Sequence, residues 1–145
     1  MQTAKQAKEN QAKASRRFST LHTITIALQE DNDCTVKALV VVTGLSYGRV
    51  HAELRTQGRK NGKGCLRHQQ FAAIEALTGK RPVLCEELTD RLKGTTTKTL
   101  ARKLDPDKRY LVYTRAHVSA VVGGGMVEWA SDRRKKIKEI FELSV

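Results

Sequence analysis

Apolar positions are sparse over the first seventeen residues, MQTAKQAKENQAKASRR, where Lys, Gln and Ala alternate without a hydrophobic stripe. That pattern predicts a basic flexible arm over 1–17 and a folded domain over 18–145. TLHTITIAL (20–28) then puts Ile24, Ile26 and Leu28 at every second position, the period of a short strand. After the polar QEDNDC, the run CTVKALVVVTG is dense enough in Val and Leu for a buried helix. Asn32 or Asp33 suits its N-cap and Gly44 its stop. A second helix is predicted from Ser46 as N-cap, with Tyr47, Val50 and Leu54 on one face and Gly58 at its end. A third covers about His68 to Leu77, closed by Gly79.

The C-terminal half changes period. RPVLC is a short extended segment, and Thr96 or Thr97 suits the cap of a short helix reaching Leu104. YLVYTR, HVSAVV and MVEWA read as short strands, with the glycines at 123–125 making a hairpin between the last two. RKKIKEIFELSV reads as a final edge strand with Ile137, Ile140 and Leu143 partly inward. Helices first and an antiparallel sheet afterwards make an α+β domain.

Charge adds a second layer. The 145 residues carry a net +12, which favours anionic partners: an acidic protein, nucleic acid or a membrane surface. The excess is clustered. One group is Arg55, Arg59, Lys60, Lys63 and Arg67 on a glycine-bearing loop, an expected anion- or partner-binding stretch. Another includes Arg133 and Arg134. The loop lacks the Gly-x4-Gly-Lys-Ser/Thr spacing of a phosphate-binding loop and has no interleaved aromatics for stacking bases. No apolar run approaches the ~18 residues that span a membrane, and the first residues lack the apolar core of a secretory signal, so a cytoplasmic protein is expected. Three cysteines without CxxC spacing predict reduced thiols and no zinc site, and no cofactor is expected.

Cys34 falls on the predicted first turn of a helix, where unsatisfied N–H groups and the helix dipole favour a thiolate. A thiolate there is a candidate nucleophile. His117, at the start of a strand, is the candidate base, and Glu128 across the hairpin, or Asp132 just beyond it, is the candidate partner of its ring.

These segments carry a resemblance. DCTVKALVVVTGLSYGRVHAEL is similar to the opening of small, often phage-encoded papain-like domains, and GRKNGKG continues that pattern. RYLVYTRAHVSAVVGGGMVEW resembles their Tyr-Leu-Val…His-x-x-Ala-Val-Val-x-Gly hairpin. The two stretches cover roughly 31–64 and 99–141, and bacteriocin-processing peptidase domains share the plan. The resemblance implies a papain-like cysteine-hydrolase fold, Cys34 as nucleophile, His117 as base, and oxyanion donors from Gln29 or Asn32 with the Cys34 N–H. Relatives often carry Asp where this chain has Glu128, and commonly Gly where it has Ala116. The activity implied is acyl transfer from a peptide or protein substrate. The alternative implied is an inactive scaffold of phage type that binds and inhibits an acidic host protein or nucleic-acid machine through its basic surface.

Overall fold

The computed structural model describes residues 3–27, 33–127 and 135–144. In chain order the elements are α1 (Ala4–Ala27), α2 (Cys34–Thr43), α3 (Tyr47–Thr56), α4 (Arg67–Thr78), β1 (Val83–Leu84), α5 (Glu86–Leu92), a 3-10 turn (Thr97–Thr99), α6 (Leu100–Lys103), β2 (Arg109–Thr114), β3 (His117–Val122), β4 (Gly125–Met126) and β5 (Glu139–Glu142). The fold is α+β. Its strands form one antiparallel sheet in the order β1-β5-β2-β3-β4.

The sheet is buried on both faces. Leu111, Tyr113, Val118, Ala120 and Phe141 alternate toward α2, α3 and α4, whose Leu39, Leu54 and Ile74 complete one core. Tyr110, Val112, Val121, Met126 and Ile140 alternate the other way, against Leu92, Leu100, Leu104 and Ile137. That double coverage explains why β2 and β3 read as continuous apolar runs.

α2 is the pillar of the first core. Every residue from Thr35 to Thr43 is buried, with its apolar positions in the core and Lys37 paired with Asp33. Tertiary burial outweighs the strand preference of its valines; each fully buried Val or Leu contributes about 1.5–3 kcal/mol. Gly44, with φ 75°, donates to the Val40 carbonyl and ends the helix. Ser46 caps α3 as expected, accepting from the Arg49 N–H at 3.3 Å.

Two expectations are corrected. From residue 4 to residue 27 the expected basic arm and strand are one helix, α1, and the expected boundary at 17/18 falls inside it. Its inward positions are Ala7, Gln11, Ala14, Phe18, Leu21 and Thr25, a spacing of four and three in turn. Ile26, counted toward a strand face, is 64% exposed. Gln11 meets the edge strand β4 like another strand: its amide donates to the Met126 carbonyl at 2.9 Å and accepts from the Met126 N–H at 3.0 Å. Gly125 permits the approach, since a Cβ there would strike the Asn10 carbonyl oxygen and lie 2.8 Å from the Ala14 Cβ. The second correction is β5, which lies inside the sheet between β1 and β2 with Ile140 buried, not at its edge. Its flanking carboxylates are taken up by cations, Glu139 by Arg67 at 2.6 Å and Glu142 by Lys108 at 3.2 Å.

Candidate active site

α2 lies along β3, and the two run in the same direction. Arg109 fixes this: it stands opposite Val122 in the β2–β3 ladder, and its guanidinium donates to the Val42 carbonyl at 3.1 Å. The C-terminal end of α2 is therefore at the Val122 end of β3. A ten-residue helix is about 15 Å long and a six-residue strand slightly more, so Cys34 is brought to the His117 end. Both residues are half-buried. Cys34 is the one residue of α2 that is not buried, so it is not a packing cysteine sealed within the core.

The strand constrains how the pair can meet. Val118 and Ala120 face α2, so alternation sets His117 on the side of β3 shared with Ser119 and Val121. The imidazole thus leaves the face of β3 turned away from α2, and a thiol at the tip of α2 could reach it only around the end of the strand, at the Arg115–Ala116 turn. Ala116 sits in that turn with φ 54°, the left-handed region that suits glycine.

Directly before the thiol stands a buried polar cluster that the chain pattern did not reveal. Asp33 has the N-cap position expected of it, but its side chain makes no cap hydrogen bond. Its carboxylate instead accepts from the Thr25 hydroxyl at 2.6 Å and the Tyr47 hydroxyl at 2.8 Å, and pairs with the Lys37 ammonium at 3.3 Å. Lys37 is also 3.4 Å from His22 Nδ1 and 4.9 Å from the centre of the Phe18 ring. His22, expected to face solvent from a strand, stays exposed on the outer side of α1, stacked on Phe18. One carboxylate ties α1, α2 and α3 together one residue from the candidate nucleophile. The signal available was the i, i+4 spacing of Asp33 and Lys37.

Burial disfavours the thiolate at the other two cysteines. Burial raises the Cys65 thiol pKa, against a smaller lowering by Arg59. Burial first, then Glu142, raises that of Cys85. No cysteine is in a disulfide. Among the described residues no group of His, Cys, Asp and Glu suits a metal ion, and no helix is long and apolar enough to cross a membrane.

The expected cationic loop is divided. Arg59 is only 4% exposed, and Arg67 is committed to Glu139 while its guanidinium stacks 4.2 Å over Tyr113. These two are structural cations, held by packing and ion pairing. Arg67 keeps its side chain 41% exposed beside that ion pair, and Arg55, Lys60 and Lys63 are exposed too, Arg55 and Lys60 beside a hollow of about 470 Å³. Gln29, Asn32, Glu128, Asp132, Arg133 and Arg134 lie outside the described residues. Comparison with protein-family models, with curated proteins and with solved structures finds no match to this chain.

Proposed function

We propose that the protein is a papain-like cysteine hydrolase, a peptidase or amidase, with Cys34 as nucleophile and His117 as base. The observation that carries this reading is the half-buried thiol at the tip of an otherwise buried helix, at the histidine end of the strand along which that helix packs. The Cys34 proton passes to the imidazole, and the thiolate sulfur adds to the substrate carbonyl. The oxyanion is held by N–H groups of the first helical turn. Collapse expels the amine, which takes the proton from His117. Water, deprotonated by the same imidazole, then cleaves the thioester and releases the acid. Glu128 or Asp132 would hold the imidazole in the required tautomer.

The test is site-resolved alkylation with iodoacetamide at neutral pH. Cys34 is expected to react at least about tenfold faster than Cys65 or Cys85, and His117→Ala to remove that advantage. Equal rates at the three thiols, untouched by His117→Ala, would refute the hydrolase reading and leave the domain as a binding scaffold.

A further inference from the structure

A groove of about 640 Å³ runs between the first half of α1 and the segment carrying the 3-10 turn and α6. Its floor is made of small residues, Ala4, Ala7, Ala12 and Ala101. Its rim is cationic, with Lys8 on the α1 side and Arg102 on the other, and among the described residues no carboxylate lines it. The wall from Ala4 to Ser15 is about 16 Å long at 1.5 Å per residue, three helical turns. None of these residues belongs to the candidate active site, which lies at the opposite end of α1.

We propose that this groove docks an acidic amphipathic helix of a partner protein. Alanine side chains let a second helix axis approach closely, so an apolar stripe at i, i+3 and i+4 seats on the floor. Carboxylates flanking that stripe then reach Lys8 on one wall and Arg102 on the other. Cations on both sides fix the register of the incoming helix, and the +12 net charge accelerates its encounter. Nucleic acid fits less well: among the described residues no aromatic side chain lines the groove to stack a base, and a phosphate backbone seeks a cationic floor, not an apolar one.

The test uses the full chain and a fluorescein-labelled helical peptide of about eighteen residues, roughly 27 Å long, with a Leu/Ala stripe flanked by Glu. Binding is read by anisotropy at a fixed ionic strength near 0.1 M. Lys8→Glu/Arg102→Glu should weaken it at least about tenfold, and so should Ala12→Trp, which fills the floor at an exposed position without changing charge. Arg55→Glu/Lys60→Glu, with the same change in net charge elsewhere, should change it less than about twofold. Circular dichroism checks that each variant is folded. The proposal is overturned if the peptide does not bind, if the distant reversal is as damaging as the groove reversal, or if Ala12→Trp has no effect. It is overturned equally if single-stranded oligo-dT binds more tightly than the peptide and loses affinity in the groove variants.

Discussion

Asp33→Asn isolates the energetics of the cluster beneath Cys34. The substitution keeps the shape and an acceptor for the Thr25 and Tyr47 hydroxyls but removes the charge opposite Lys37. The ammonium, on a side chain only 7% exposed, is left facing His22 and the Phe18 ring. Removing one member of a buried pair costs about 3–5 kcal/mol, because the surviving charge keeps its desolvation penalty and loses its compensation. For a chain of this length that lowers Tm by roughly 10 °C. Lys37→Met, which leaves the carboxylate with its two hydroxyl donors, should cost somewhat less. The double variant leaves no buried charge and should recover most of the loss, so the cycle has a coupling energy of about 2 kcal/mol or more. Urea unfolding followed by far-ultraviolet circular dichroism measures all four corners. Single variants costing under about 1 kcal/mol, or a double variant as costly as the sum of the two, would refute the account.

Other outcomes follow from the same packing. Ala116→Gly should raise stability by about 0.5–1 kcal/mol in thermal melts, since the left-handed strain it removes exceeds the entropy that glycine adds to the unfolded chain. Gly125→Ala forces a Cβ against α1 and should cost about 1–3 kcal/mol, with hydrogen exchange quickened over 4–14 ahead of the rest of the chain. Burial pushes the Tyr113 phenol far above its ordinary value of 10, Arg67 opposing only in part. The unfolded chain therefore gives up that proton first: the contribution is intact below pH 10, and stability falls as pH rises beyond it. Absorbance at alkaline pH should show Tyr113 ionising only as the protein unfolds. Cys65 and Cys85, their pKa values raised above 9.0, should alkylate more slowly when folded than in urea at any pH below that value.

The elements with regular period were legible and the half-polar ones were not. α2, α3, α4 and the β2–β3 hairpin announce themselves through dense apolar positions, a Ser46 cap and glycine stops. α1 does not, because four of its six inward positions are Ala, Gln or Thr, which a hydropathy reading counts as neutral or polar. Its Ile24 and Ile26 happen to fit period two, although one is largely exposed. β5 looked like an edge strand because Glu139 and Glu142 bracket Ile140 and Phe141; only the cations Arg67 and Lys108, distant in sequence, explain how those acids fit inside the sheet. Of the candidate site, the helix tip that bears the thiol and the strand start that bears the histidine could be read from helix-cap and hairpin signals. The carboxylate cluster could not, since it depends on three helices converging.

That convergence gives the candidate site its rigidity. A nucleophile on the first turn of a helix is only as well positioned as that turn, and first turns fray because their N–H groups lack helical partners. Here the residue before the thiol is fastened by three side chains from α1, α2 and α3, and the far end of the same helix is held by Arg109 to the strand beside the one that bears His117. The tip of α2 is thus tied to α1 and α3, and its far end to β2. Loosening Asp33 should blur that geometry before it unfolds the domain. Asp33→Asn, assayed at a temperature where it is still folded, should slow the alkylation of Cys34 toward the rate of Cys65, whereas Gly125→Ala, which acts at the opposite end of α1, should leave the Cys34 rate unchanged. Equal slowing in both variants would mean that global stability, not the carboxylate clamp, sets the reactivity of the thiol.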